Sequence, residues 1–444
     1  MKRNFSRNLL KTLAIAMMYQ VSVAQESSQR NLSLQEAFEI AETQNRDLKI
    51  LSQLSEAAEW AIQQEKDKLL PSLEASLMVS YNGNGWVSDR DFSNGFSIPI
   101  PSFGNNFALE AKQLIYAGGA VKQTIHLAEN QKKLSELDRK KAQQNIRFGI
   151  TGLYLEMQKL NNQQLIIEKN IEQTQKMIAQ ISTKNEMGVA LKNNVTRYEL
   201  QKQSLDVALL KLTNALRILN NELVKLLQLP AGTQLQLQKL SDEEILVLNQ
   251  ANPELYWNEV ANENAPELQK ASIEIDNIQA QKKLVKSETL PQVFAFASNY
   301  LNGPVMIEIP VLDNNFNYWY VGAGIKYDIS SLYKNKAKRE QVSKYENIAL
   351  EEELKAKEQL ALDIQSASIR FNETLKVYQT QLKNVELANQ NYSVVRNRYL
   401  NQLSLITEMM DAETMKVDAE MQVENAKINI LFQYYQLKKI AGIL

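Results

Sequence analysis

A chain of 444 residues is long enough for two or three ordinary domains, but its 14 glycines and 9 prolines are too few and too unevenly placed for that. A net charge of −1 gives no electrostatic reason for a nucleic-acid partner. The lack of cysteine excludes disulfides, thiolate metal sites, a cysteine nucleophile and a lipid-modified N-terminal cysteine.

Residues 1–24 are expected to be a secretory signal. Lys2, Arg3, Arg7 and Lys11 precede a short apolar run over residues 13–18, and Ser22-Val23-Ala24 is a small-x-small cleavage site before Gln25. No other stretch approaches the roughly 20 apolar residues of a transmembrane helix. An exported chain of this kind is periplasmic, secreted, or inserted in an outer membrane as a β-barrel.

The first helix is expected over residues 33–70, with Ser33 as N-cap, Glu36 at the capping-box spacing and Pro71 as the stop. A period-two strand follows, with Leu73, Ala75, Leu77, Val79 and Tyr81 on one face and Ser72, Glu74, Ser76, Ser80 and Asn82 on the other. Met78 is its exception. Residues 82–106 are rich in Gly, Asn, Ser and Pro and predict a long loop. A second strand carries Phe107, Leu109, Ala111, Ile115 and Ala117 against Glu110 and Lys112. Gly118-Gly119 turns it into a helix. The spacing lacks the Lys-Ser/Thr of a phosphate loop.

No proline occurs between Pro101 and Pro230, which permits a very long helix over residues 119–187. Ile150, Leu153, Met157, Leu160, Ile167, Ile171, Ile178 and Ile181 mark its apolar seam. The return leg, 191–229, carries Leu205, Leu209, Leu212, Leu216, Leu219, Leu223 and Leu226, a coiled-coil period. Gly149 and Gly152 lie mid-helix and point to close packing or a local bend. His126 is the sole histidine. With no second histidine or cysteine it reads as a solvated helix residue, not a ligand.

After an irregular connector, 231–252, the pattern repeats. Residues 41–83 align without a gap on 261–303 at an offset of 220, matching Leu48 with Leu268, Leu70-Pro71 with Leu290-Pro291, and Asn82-Gly83 with Asn302-Gly303. The domain organisation is therefore a first repeat over 25–230, the connector, and a second repeat over 253–444. The repeat predicts a helix over 253–290 and a strand over 292–301, whose faces its aromatics leave unassigned. Next comes a strand with Trp319, Val321, Ala323, Ile325, Tyr327 and Ile329 on its apolar face. Helices over 332–400 and 405–441 complete it. Two shorter helices of about 38 residues match one long helix of about 69, so a bundle of two continuous and two pseudo-continuous helices is expected.

Each strand is about ten residues, the length of a tilted outer-membrane strand. Four strands cannot close, and an open edge in hydrocarbon leaves backbone groups unsatisfied. Several copies must then share one barrel, and three would supply twelve strands.

At this point the sequence resembles the TolC-type outer-membrane factors. The resemblance rests on Leu32-Ser33-Leu34-Gln35-Glu36-Ala37, Leu69-Leu70-Pro71-Ser72-Leu73, Gln113-Leu114-Ile115-Tyr116-Ala117-Gly118-Gly119, Met187-Gly188-Val189-Ala190 and Asp411-Ala412-Glu413, in this order. It implies a mainly α fold: a long helical coiled-coil barrel in the periplasm, plus four strands per chain in a shared twelve-stranded trimeric outer-membrane β-barrel. The connector 231–252 would be an equatorial collar. The implied function is a passive duct of a tripartite efflux or secretion system, with no catalytic residues, cofactor or metal. Its implied partners are two further copies, a periplasmic adaptor, an inner-membrane pump and outer-membrane lipid.

By the same resemblance the hairpin tips, Met187, Gly188, Val189 and Ala190 with Asn401, Gln402, Leu403 and Ser404, meet the adaptor. Glu408 and Asp411 occupy the positions that line the periplasmic constriction, and the nearest basic residue beyond them is Lys416. The second tip lacks the usual glycine. Where family members hold the tip closed with a basic residue and an aspartate, this chain has Ser404 and Asn194. The alternative reading is a periplasmic coiled-coil scaffold without a pore.

Overall fold

The structure is a computed structural model that describes residues 29–239 and 254–444. The expected signal, 1–24, and the connector from residue 240 onward lie outside the described residues.

The chain opens with strand β1 (Gln29–Leu32) and helices α1 (Leu34–Gln44) and α2 (Arg46–Asp67). The Ser33 hydroxyl accepts from Glu36 N–H at 3.1 Å, as the N-cap spacing predicts. The reciprocal half of the box is not formed, because the Glu36 carboxylate takes Arg30 at 2.7 Å instead. The single helix expected over 33–70 is broken at Asn45, whose side chain accepts from Asp47 N–H at 2.9 Å and Leu48 N–H at 3.3 Å and so starts α2. The second repeat breaks at the equivalent place: α5 (Glu254–Asn264) ends before Ala265, and α6 (Pro266–Ser287) starts on a proline. One break uses an asparagine cap and the other a first-turn proline, whose missing N–H has no partner to lose there.

Strands β2 (Ser72–Tyr81), β5 (Phe103–Ala117), β7 (Gln292–Gly303) and β8 (Phe316–Lys326) form one antiparallel sheet in the order β2-β5-β7-β8. All four expected strands are present. Residues 82–106 are not wholly loop: β3 (Gly85–Val87) and β4 (Phe96–Ile98) make a small hairpin with Trp86 opposite Ser97, and β5 starts at Phe103. The long helices are α3 (Ala120–Glu186), α4 (Lys192–Leu226), α8 (Lys336–Leu400) and α9 (Ile406–Ile440), with a one-turn α7 (Ser331–Lys334) ahead of α8. At 67 residues, α3 is about 100 Å long. A Cβ built at Gly152 would stand 3.8 Å from the Phe432 ring, whereas Gly149 faces open space. A Cβ at either position would be accommodated, so close packing requires neither mid-helix glycine.

The chain forms two compact units. The first comprises Met1–Ile50, Arg139–Pro266 and Lys357–Leu444, and the second Leu51–Asp138 and Glu267–Ala356. Each draws on both sequence repeats. In the first, Leu32, Phe38, Ile150, Tyr154, Leu223 and Leu227 make one core, and Leu155, Trp257, Ile364, Phe371, Ile430 and Leu437 another. Residues 234–237 of the expected irregular connector form strand β6 (Gln234–Leu237), parallel to β1. Asn220 pins it, donating to Thr233 C=O at 2.8 Å and accepting from Leu235 N–H at 2.9 Å. In the second unit, Ile278, Val285, Val342 and Ala349 pack together. His126 is not merely solvated there: its Nε2 lies 2.7 Å from Asp276 Oδ2.

Candidate functional site

Two features can do work: the sheet, with its two unlike faces, and the tips of the two helical hairpins.

In the sheet, register decides facing. Leu73 pairs with Ala111, Ala75 with Leu109 and Leu77 with Phe107. Ala111 in turn pairs with Ala297, and Ala297 with Val321. Paired residues point the same way, so one face carries Leu73, Leu77, Val79, Leu109, Trp319, Val321 and Ile325, all exposed in the single chain. The other carries Glu74, Ser76, Glu110, Lys112, Ser298 and Lys326. Ionised groups are costly against hydrocarbon, so the aliphatic face suits lipid and the mixed face water. The register also assigns β7. Phe294, Phe296 and Tyr300 lie on the polar face, with Phe296 opposite Gly322, Phe294 opposite Gly324 and Tyr300 opposite Tyr318. The rings of Tyr300 and Tyr318 stack at 5.3 Å, and the Tyr300 hydroxyl donates to Glu110. Both outer edges, β2 and β8, lack a strand partner among the described residues.

The tips lie in the first unit. At the first, Gly188 adopts φ +76°, Gly188 N–H donates to Asn185 C=O at 2.9 Å, and Val189 N–H donates to Lys184 C=O at 2.8 Å. That is a left-handed helix C-cap. The second tip builds the same cap without a glycine. Gln402 adopts φ +64°, its N–H donates to Tyr399 C=O at 3.0 Å, and Leu403 N–H donates to Arg398 C=O at 2.8 Å. Asn401 bonds back to Asn397. Met187, Val189, Leu191, Leu403 and Leu405 are exposed apolar side chains at these turns. Asn185 donates to Ala190 C=O at 2.6 Å and closes the first turn. Behind the turns the hairpins pack through Met177, Ile181 and Tyr198 against Tyr399, Ile406 and Met410.

Glu408 and Asp411 are both exposed on α9. Glu408 sits in the first turn, where a negative charge suits the helix dipole. The Ser404 hydroxyl donates to it and, as the largest influence, holds its carboxyl below the usual range. The Leu405 N–H and Arg398 act in the same direction, and burial opposes them. Ser404 is thus engaged with Glu408, and the cation that acts on this carboxylate is Arg398, across the turn, rather than Lys416. Lys416 is buried, over the Tyr392 ring at 4.6 Å and 3.8 Å from Glu420. Sequence reasoning missed Glu413, which is only 3% exposed on the other side of α9. Its one signal was an acidic residue two beyond Asp411, at a position that faces inward once the neighbouring exposed residues are fixed.

Among the described residues no cluster of His, Cys, Asp and Glu could hold a metal ion, and no helix is long and apolar enough to cross a membrane.

The family model described as outer membrane efflux protein matches residues 37–229 and 257–443. The two matched segments fall one on each sequence repeat. No curated protein matches the chain. Among solved structures, the outer membrane protein VceC from Vibrio cholerae is 13% identical with a TM-score of 0.73, covering 92% of this chain and 96% of that one. The Campylobacter jejuni CmeC outer membrane channel is 14% identical, with a TM-score of 0.70 and coverage of 92% and 85%. The Neisseria gonorrhoeae MtrE outer membrane channel, solved in an open state, is 18% identical, with a TM-score of 0.69 and coverage of 92% and 89%. These likenesses carry the fold. The family and fold are those of outer-membrane channels, which are not enzymes. With four sheet strands, two long helical hairpins and a family match over both repeats, the chain belongs to the outer membrane efflux protein family.

Proposed function

We propose that three copies of this chain share one twelve-stranded barrel and form a passive duct. Substrates would be delivered by an inner-membrane pump through a periplasmic adaptor seated on the hairpin tips. The observation that carries this reading is the sheet: one aliphatic exposed face, one mixed face and two open edges. A closed barrel is the way such edges are satisfied in hydrocarbon, and a ring of copies closes it. A soluble coiled-coil scaffold would have no use for Leu73, Leu77, Val321 and Ile325 facing outward. The exposed apolar turns, Met187 to Ala190 and Asn401 to Ser404 with their flanking leucines, are the adaptor surface in this reading.

Glu408 and Asp411 are three residues apart and therefore on one helix face. Threefold symmetry would make each a ring of carboxylates around the periplasmic aperture. Rings of one sign focus potential and favour multivalent cations. The test is conductance in a planar bilayer with a divalent or trivalent cation added to each side in turn. The parent is expected to form a cation-preferring pore that is blocked from the periplasmic side. Glu408→Gln with Asp411→Asn should relieve most of the block and leave the trimer mass in detergent unchanged. An inserted monomer, or a double variant blocked as readily as the parent, contradicts the proposal.

A further inference from the structure

Glu413 is a buried carboxylate with both oxygens unpaired. It points from α9 into the packed end of the two hairpins and is 3% exposed. Neither carboxylate oxygen has a hydrogen-bond partner, and the Tyr198 hydroxyl and Gln201 Oε1 are likewise buried without one. Leaving such groups unsatisfied is costly, and more so for a charge. Each neighbouring helix contributes side chains around Glu413, none of them a charge paired with it. From α4 come Tyr198, fully buried, and Gln201, both near enough to favour the carboxylate but not in hydrogen-bond geometry. From α8 come Tyr392 and Arg396. Tyr399 lies beside Tyr198, and Arg396 is exposed to solvent. On α9 itself, Lys416 is occupied by the Tyr392 ring and Glu420. From α3 the tip core receives Met177 and Ile181, which are apolar. The carboxyl is thus enclosed among rings, with its two cations held off.

We propose that Glu413 is a proton-operated catch on the periplasmic tip: neutral, it lets α9 pack on α4 as seen here; ionised, it draws α9 away toward water and Arg396 and loosens the tip. The proposal rests on the duct reading, because the tip is the aperture only if the chain is a channel.

Burial, the largest influence, pushes the Glu413 carboxyl up; Tyr198, Gln201, Lys416 and Arg396 oppose it. Burial also pushes the Tyr198 phenol up, so that group stays protonated. For an acid raised in the packed state, the packing is fully supported below its ordinary value and weakens as pH rises through the raised one. Low pH on the periplasmic side therefore closes the tip and high pH frees it. The device is separate from Glu408 and Asp411, which are exposed.

The experiment uses the full chain in a planar bilayer, with pH varied on the periplasmic side alone. The open fraction of the parent should rise with pH, by up to roughly tenfold per pH unit for each protomer that switches. Glu413→Gln, uncharged and of the same shape, should stay at the low-pH level throughout. The double variant Glu408→Gln, Asp411→Asn should keep the parent's pH response. A Glu413→Gln channel that follows the parent's pH curve overturns the proposal. A second measurement does not require a pore: amide hydrogen exchange over residues 406–416, compared between parent and Glu413→Gln at each pH. Protection should diverge as pH rises, with the parent opening more; equal protection at every pH overturns the catch. Diverging protection in a protein that never conducts would leave the catch standing and sink the duct.

Discussion

The ring of Phe296 lies across Gly322, its direct cross-strand partner, so closely that a Cβ built on the glycine would stand 2.7 Å from the ring edge. Phe294 covers Gly324 in the same way, at 2.6 Å, and the Lys112 ammonium lies 4.8 Å from the centre of its ring. An aromatic that covers a strand glycine supplies the packing the glycine lacks. Gly322→Ala should therefore destabilise the folded channel by about 1 kcal/mol, because the ring must leave its rotamer. Phe296→Ala should relieve that cost, giving a coupling of about 0.5–1 kcal/mol in a double-mutant cycle. Loss of heat resistance of the folded form on a gel reads both. Purely additive variants would mean that the ring and the glycine do not depend on one another.

Facing can be tested directly. Val321→Lys places a charge on the aliphatic face and should cost roughly 2–4 kcal/mol in a bilayer. Gly322 and Gly324 are poor controls for the other face, since rings fill their space. Ser76, exposed on the polar face of β2, is a better one, and Ser76→Lys should insert almost as well as the parent. Yield of membrane-assembled protein distinguishes the two faces.

The two tip caps predict opposite effects. Gly188 at φ +76° has nothing within 4 Å of a built Cβ, so Gly188→Ala should lose about 1 kcal/mol from backbone strain alone. Gln402 already bears that strain at φ +64°. Gln402→Gly should stabilise the second tip by a fraction of a kcal/mol, because added chain entropy in the unfolded state offsets part of the gain. Hydrogen-exchange protection of the first turn of α9 measures it.

Gly442 closes α9 against the break between α5 and α6. It has φ +77°, and a Cβ there would meet Asn264 C=O at 2.4 Å. Backbone cannot move aside as a side chain can. Gly442→Ala should cost about 2–4 kcal/mol, combining left-handed strain with overpacking. Thermal unfolding of the variant provides the check.

In the second unit, buried Asn130 donates to Asp276 at 2.8 Å and to Asn277 at 3.0 Å. The Asn130 bond is the largest influence holding the Asp276 carboxyl below its ordinary range; burial opposes it, and His126 assists. A depressed carboxylate contributes stability above its ordinary value and loses it as pH falls through the lower one. Asn130→Ala should cost about 1–3 kcal/mol near neutrality, and the gap to the parent should shrink in acid. Melting temperatures at neutral and acid pH test the sign.

The sequence alone determined the order of the four sheet strands and the long helices, because most of their signals are local. The period-two faces of β2 and β8 and the heptads of the proline-free α3 and α4 are legible along single elements, and the 220-residue repeat by comparing the chain with itself. The tip turns were legible too, Gly188 by its identity and Asn401 to Ser404 by position. Tertiary structure decided what depends on partners distant in the chain. The faces of β7 are ambiguous in sequence because Phe294 and Phe296 look lipid-facing, and only pairing with Gly324 and Gly322 turns them to the polar side. Strand β6 exists because β1, some two hundred residues earlier, lies beside it, with Asn220 holding its start. The helix breaks at Asn45 and Ala265 lay inside apolar patterns that periodicity reads through. Along α9, Glu408, Asp411 and Glu413 are three acidic residues within six positions, chemically alike in sequence. Which of them faces water and which is enclosed by Tyr198 and Tyr392 follows from how two hairpins pack, and that is a property of no single helix.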